Sequence, residues 1–227
     1  MLDALAALRK NVNRINKVAD LLSTPVALAP EMLPAAEAIV CGSVVLLSGY
    51  FENFLKDCMR SFIDGVNGMR KPLSKLPAKM HRIHFEKGAR ALAKQIKEDW
   101  KSGDTSKTQD LADLLASLAA IQGYRLVWEA FADTRSNPGP DVVEEFLRSV
   151  GVQDPWGKLR SETIPGKVDL AVFLTSFIEV RNDCAHTGGA NSKTVASDLL
   201  VFGDNLVALA QATITVLSAQ LGNFSTL

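Results

Sequence analysis

Apolar residues recur at intervals of three and four along residues 35–65, and this pattern constrains the fold more than any other feature of the chain. They are Val44, Leu47, Phe51, Leu55, Cys58 and Phe62. Such spacing places side chains on one face of an α-helix, so we predict a long helix with a buried face. Its most apolar stretch spans only residues 38–51, between Glu37 and Glu52. A membrane span needs about 20 apolar residues, so a core helix is predicted and no membrane contact.

The same helical periodicity runs through most of the chain, and we find no convincing alternating pattern of a strand. Helices are predicted over residues 3–23, 35–65, 107–121, 167–187 and 193–221, and in the second half of 70–97. Ser106 and Gln109 form a candidate capping box, Pro140 suits a first helical position, and Gly222 is expected to end the last helix. We therefore predict an all-α bundle with a partly irregular middle, a candidate insertion between about residues 66 and 160.

Length and composition favour one domain, residues 1–227, that folds without a metal or a disulfide. Of the 227 residues, 47% are hydrophobic, and a chain of this length buries roughly 70% of its unfolded surface. Cys41, Cys58 and Cys184 have no paired spacing, which favours a reducing compartment. The N-terminal segment is charged throughout and lacks the apolar core of a signal peptide. We therefore expect a soluble cytoplasmic protein.

Positive charge is concentrated in residues 70–97, although the formal net charge of the chain is zero. The cations are Arg70, Lys71, Lys75, Lys79, Arg82, Lys87, Arg90, Lys94 and Lys97, against the single acid Glu86. Such a segment can bind phosphates or can be a solvated face balanced by acids elsewhere, and the sequence leaves both open. The candidate RNA contacts are Lys79, Arg82, His84, Lys87 and Arg90.

Two other groups of residues are candidates for a metal site or for contacts with bases. His81 and His84 have a spacing that metal pairs use, but a zinc site would need two further ligands from elsewhere, so no metal site is predicted. The tryptophans at positions 100, 128 and 156 are scattered. They are expected to pack against the fold, with base stacking by one of them as the alternative.

The stretch VRNDCAHTGG, residues 180–189, places an arginine on an apolar helix face. At about 100° per residue, Arg181 lies at the centre of the stripe formed by Leu170, Leu174, Phe177, Ile178, Cys184 and Ala185. An arginine keeps its charge, and burying that charge unpaired is costly. Arg181 therefore needs a carboxylate, a partner subunit or a bound anion.

Asn182 and His186 lie on the adjacent face, one turn apart, so their side chains can touch. Gly188 and Gly189 are expected to end the helix and leave His186 near an accessible terminus. From the residues alone a simpler reading is favoured: Arg181 pairs with a core carboxylate, and His186 only caps the helix, where the dipole favours a cation.

Arg181-Asn182-Asp183-Cys184-Ala185-His186 resembles the signature of the HEPN superfamily, in particular its RiboL-PSP-HEPN and MAE-type nucleases. Two further stretches, SGYFENFLKDCM (48–59) and NPGPDVVEEFLRSVG (137–151), are similar to other parts of that subgroup. The resemblance implies a HEPN-type helical bundle that dimerises through its motif helices. It implies metal-independent RNA cleavage, often by a toxin or antiviral effector. Gly189 stands where one subgroup has a tyrosine that its antitoxin modifies, so that mode of regulation is not expected.

The resemblance makes Arg181 and His186 the core catalytic pair, with Asn182 at the polar position between them. RNA can be cleaved by its own 2′-OH, and a histidine can serve as base or acid near neutral pH. Arg181 could hold the phosphate bidentately, and Asn182 could position either group. Glu52 could align Arg181, or simply pair with Lys56 one turn on. Asp183 could orient His186, although a solvent-facing position is favoured.

The sequence thus predicts a homodimeric endoribonuclease that uses no cofactor and leaves 2′,3′-cyclic phosphate and 5′-OH ends. RNA is the expected partner, with an antitoxin or regulatory protein as a further candidate. The alternative is a non-catalytic HEPN module that binds RNA or protein. A second rival is a helical structural or regulatory protein in which Arg181 belongs to a buried ion pair.

Overall fold

The computed structural model describes residues 1–24, 29–71, 75–117, 125–134, 137–162, 168–187 and 194–226. In these residues every regular element is helical, which confirms the predicted all-α fold. The elements are α1 (Leu2–Leu22), α2 (Leu33–Gly68), α3 (Ala78–Ser102), α4 (Ser106–Ser117), a 3-10 turn (Trp128–Ala130), α5 (Pro140–Ser149), α6 (Pro155–Ser161), α7 (Leu170–Thr187) and α8 (Ala196–Thr226).

The centre of the bundle is α2, which packs against α1, α7 and α8. All six residues of the predicted apolar face are fully buried. Both α2 and α8 are long and apolar enough to cross a membrane by length and composition alone. Half of the most apolar stretch of each helix is buried inside the bundle, as in a core helix. Length and composition are therefore only weak support for a membrane span.

The close approach of α1 and α8 depends on a glycine. A Cβ atom at Gly203 in α8 would lie 2.7 Å from Cγ1 of Val12 in α1, which is shorter than carbon atoms can approach without moving. The missing side chain therefore allows the two helices to pack tightly. Val12 is buried at this contact.

The middle of the chain is more regular than the sequence indicates. Helix α3 runs without interruption over residues 78–102 and packs against α4, the 3-10 turn and α5. A short helix, α6, replaces the loop expected after Pro155, while α5 begins at Pro140 as predicted. Of the predicted helix over 107–121, residues 118–121 lie outside the described residues.

Three sequence expectations about single residues were wrong. Gly222 does not end α8, which continues to Thr226. Asp104 contacts the first residue of α4: its Oδ1 accepts a hydrogen bond of 3.0 Å from the Ser106 N–H. Ser106 is therefore not the capping residue. Trp100 does not pack into the fold and is 86% exposed.

Candidate active site around Arg181

Helix α7 carries the Arg-Asn-x-x-x-His motif in its last two turns. Its first turn is capped by Asp169, whose Oδ1 accepts from the N–H groups of Ala171 and Val172. A carboxylate at this position satisfies free N–H groups and favours the helix dipole. The face of α7 that includes Leu174 and Phe177 is fully buried, and the helix packs mainly against α2. The motif is therefore held beside the middle of α2.

Arg181 is half-buried at the edge of that face rather than fully enclosed at its centre. Its Nη1 donates a hydrogen bond of 3.2 Å to Oδ1 of Asn182. Its Nε atom is buried and, within the described part of the chain, has no hydrogen-bond partner. Asn182 thus holds one end of the guanidinium, while the Nε–H group donates to none of the described residues.

Glu52 on α2 supplies the negative charge near Arg181. Its Oε1 accepts hydrogen bonds from Nζ of Lys56 over 2.6 Å and from Oγ1 of Thr134 over 2.8 Å. Burial acts to raise the pKa of Glu52, but these two hydrogen bonds and the charges of Lys56 and Arg181 outweigh it and hold the pKa below its usual value. Glu52 is therefore ionised and pairs with Lys56, one of the two roles considered from the sequence. It also lies close enough to Arg181 for the two charges to interact, and a role in aligning Arg181 stays a prediction.

Asn182 links Arg181 to Asn137 through hydrogen bonds. Its Oδ1 accepts from Nη1 of Arg181 and also from Nδ2 of Asn137, the latter over 3.3 Å. Asn137 is itself partly buried, and its Oδ1 is enclosed without a partner among the described residues. Asn182 is thus positioned to orient Arg181.

His186 and Asp183 lie on the outer side of α7, and both are exposed. His186 is in the last turn of the helix, where the sequence places it. Asp183 faces solvent, the position favoured for it above. Gly188 and Gly189, expected to end the helix, lie outside the described residues. The structure therefore brings Arg181, Asn182 and Glu52 into one cluster and leaves His186 open on the adjoining surface.

A cleft of about 610 Å³ begins at Glu52 and extends along α3. Its charged lining residues are Glu52, Lys56, Lys87, Arg90, Lys94, Glu98, Lys107, Asp110, Glu129 and Asp133. Cations and acids are equal in number in this lining, so the cleft is mixed rather than strongly positive. Lys87 pairs with Glu145 at 3.0 Å, and Arg90 pairs with Glu86 at 3.3 Å. A phosphate would have to compete with these pairs.

The other members of the basic segment are placed differently. Lys79 and Arg82 lie on α3 and do not line this cleft. His84 was expected to be a polar surface residue near RNA, and this is wrong: its side chain is fully buried, and Nδ1 accepts a hydrogen bond from the Val127 N–H. Among the described residues no cluster of three His, Cys, Asp or Glu side chains could hold a metal ion.

Sequence reasoning missed Thr134 and Asn137, which contact Glu52 and Asn182. Both belong to the connection that leads into α5. The sequence marks this connection only by the NPGPD turn, which was used to locate the start of a helix. Thr134 just before that turn and Asn137 as its first residue were the available signal.

Comparison with known proteins identifies a family that the chain matches. A family model described as RiboL-PSP-HEPN matches residues 6–218, a range that contains α2, the turn before α5 and the motif of α7. No match was found among curated proteins or among solved structures.

Proposed function

The chain belongs to the RiboL-PSP-HEPN family, and we propose that it is a metal-independent endoribonuclease that acts as a homodimer. Family membership makes the chain a candidate ribonuclease or RNA-binding module. The observation that favours catalysis is the arrangement on α7: Arg181 is oriented by Asn182 beside the ionised Glu52, and His186 is exposed on the same helix.

In the proposed reaction the 2′-oxygen of a ribose attacks the adjacent phosphorus, and the bond from phosphorus to the 5′-oxygen breaks. A base removes the 2′ proton, and an acid donates a proton to the departing 5′-oxygen. The products are a 2′,3′-cyclic phosphate and a 5′-OH. A histidine can perform either proton transfer near neutral pH, and His186 is open to solvent for this purpose.

Arg181 is assigned to the phosphate. A guanidinium presents its donors in a planar fork that matches phosphate oxygens, and it stabilises the charge that develops as the phosphorus becomes pentacoordinate. Asn182 holds Nη1 and so limits rotation of this fork. Glu52 contributes an opposing charge on the α2 side.

One chain supplies one motif histidine, and two proton transfers are required. The outer face of α7 carries Val172, which is 63% exposed, together with Glu179, Asp183 and His186, which are all exposed. Two copies of α7 packed along this face would bring two His186 side chains together. This supports the homodimer as part of the proposal. We place the enzyme in the cytoplasm, as a toxin or antiviral effector controlled by a partner protein.

The test is incubation of RNA with purified protein in the presence of EDTA, followed by analysis of the product ends. We expect 2′,3′-cyclic phosphate and 5′-OH ends, and we expect His186→Ala to abolish them while the circular dichroism spectrum is unchanged. Cleavage that survives His186→Ala, or that requires a divalent ion, would contradict the mechanism. RNA binding without cleavage would instead identify a non-catalytic module. Growth arrest on expression, relieved by His186→Ala, would support the toxin role.

A further inference from the structure

We propose that Thr134 and Asn137 are positioning residues that set the orientation of Arg181, an inference that rests on the proposed function. Neither residue belongs to the motif. Asn137 binds Asn182 on α7, which accepts a hydrogen bond from Arg181. Thr134 binds Glu52 on α2, whose charge interacts with that of Arg181. The residues that lead into α5 therefore contact two side chains near Arg181.

The two contacts differ in kind. Thr134 is 2% exposed, and its hydroxyl donates 2.8 Å to the same Glu52 oxygen that Lys56 contacts. Asn137 donates to the Asn182 oxygen that already accepts from Arg181. Asn137 thus holds the amide that binds Arg181, and Thr134 holds a carboxylate whose charge interacts with that of Arg181.

The described residues of this connection, 125–134 and 137–139, are themselves anchored, so they can position other groups accurately. Leu126 exchanges two hydrogen bonds with the side chain of Asn67 on α2, of 2.8 and 3.1 Å. At the far end, the Asn137 N–H donates to the Thr134 carbonyl, and Pro140 begins α5. Residues held by such supporting contacts locate functional groups to within a fraction of an ångström.

The same cluster contains two enclosed polar atoms without partners among the described residues, Nε of Arg181 and Oδ1 of Asn137. Buried polar groups are normally hydrogen-bonded, and an exception calls for a reason. A fold that used these residues only for stability would gain by satisfying both atoms. Their arrangement is typical of a functional site, where orientation of a charged group takes precedence.

The first experiment compares Thr134→Val with Thr134→Ser, and Asn137→Ala with wild type, in RNA cleavage. Valine keeps the shape of threonine but cannot donate to Glu52, whereas serine can. We expect Thr134→Val and Asn137→Ala to lower kcat by roughly ten- to a hundredfold, because a small misplacement of a reacting group has effects of this size. KM should change little, and Thr134→Ser should restore most of the activity.

A double-mutant cycle separates positioning from a general structural role. If Asn137 acts through Arg181, then adding Asn137→Ala to Arg181→Lys should cost much less than it costs in wild type. Additive losses of kcat in the two backgrounds would overturn the proposal. Wild-type kcat in both Thr134→Val and Asn137→Ala would also overturn it.

A second measurement does not depend on cleavage. The Nε–H signal of Arg181 in a ¹⁵N NMR spectrum is assigned by its absence in Arg181→Lys, and its exchange with solvent is then measured. We expect slow exchange in wild type and faster exchange in Asn137→Ala, while the melting temperature stays similar. Unchanged exchange would overturn the positioning role. If the wild type cleaves no RNA, the proposed function fails, and this measurement still decides whether Asn137 holds Arg181.

Discussion

The backbone N–H of Val127 donates a hydrogen bond of 3.0 Å to Nδ1 of His84. This bond joins α3 to the segment that leads through the 3-10 turn towards Thr134 and Asn137. His84 is fully buried. Burial and, to a lesser extent, the nearby His81 lower the pKa of His84 from 6.5 to about 4. The ring is therefore neutral in the folded protein at physiological pH.

Acidification should destabilise the fold through His84. The unfolded chain takes up a proton near pH 6.5, while the folded chain does so only near pH 4, so the free energy of unfolding falls as the pH decreases between these values. Linkage gives a loss of about 2 kcal/mol between pH 7 and pH 5. Urea denaturation at several pH values measures this loss. The control is His84→Asn, whose side-chain oxygen can still accept from Val127 but does not titrate. A loss of the same size in that variant would contradict the assignment.

Gly203→Ala should destabilise the contact between α1 and α8. The new Cβ would lie 2.7 Å from the buried Val12, and overpacking of this kind costs about 1–3 kcal/mol, more than the roughly 1 kcal/mol gained in helix propensity. Gly42→Ala is the matched control, since a Cβ there meets no atom within 4 Å. Thermal melts should show a lower Tm for Gly203→Ala and an equal or higher Tm for Gly42→Ala. A Tm for Gly203→Ala at or above that of wild type would refute the packing argument.

The three cysteines should resist thiol reagents in the folded protein. Cys41, Cys58 and Cys184 are all buried and reduced, and burial raises the pKa of the Cys58 thiol to about 12. The thiolate is the reactive form, so labelling with iodoacetamide at neutral pH should be very slow. In denaturant all three should react, which intact-mass spectrometry can count. Rapid labelling of the native protein would show that the bundle opens locally.

Asn182 and Asp183 should differ sharply in their effect on RNA cleavage, although they are adjacent. Asn182→Ala removes the acceptor that holds Arg181, and we expect a loss in kcat of roughly a hundredfold. Asp183 is exposed on the outer side of α7, and Asp183→Asn keeps the size of the side chain, so kcat should change less than about threefold, as is usual for a surface substitution. Kinetics on the two purified variants tests this. Equal losses would mean that Asp183 also contributes to the site.

Helical periodicity was sufficient to predict the helices that form the core, because their buried faces repeat every three to four residues. It also identified Arg181 as a charge on an apolar face. The supporting contacts could not be predicted in this way. Thr134 reaches Glu52 across 82 positions of sequence, and Asn137 reaches Asn182 across 45. No local sequence pattern predicts such pairings, since they depend on how α2, α7 and the connection into α5 pack together.

The prediction that His84 contacts RNA was wrong for the same reason, since the position of its side chain depends on a residue distant in sequence. It lies in a segment rich in cations, which favours a surface position, whereas its partner Val127 lies 43 positions away. The same limit applies to the basic segment. Its cations are evident in the sequence, but the acids that pair with Lys87 come from α5 and from Asp133, which are distant in sequence. Charge along the chain therefore overstated the charge of the folded surface.

The contrast between the exposed His186 and the half-buried Arg181 has an evolutionary consequence. One-base changes in a histidine codon include those to asparagine, glutamine and tyrosine, each of which an exposed site at a helix end tolerates without loss of the fold. Loss of Arg181 instead removes a positive charge that helps to keep Glu52 ionised. Lineages that abandon the proposed RNA cleavage should therefore lose the histidine first and retain the arginine for longer. Descendants with arginine but no histidine would be stable, inactive copies, available for recruitment as binding proteins.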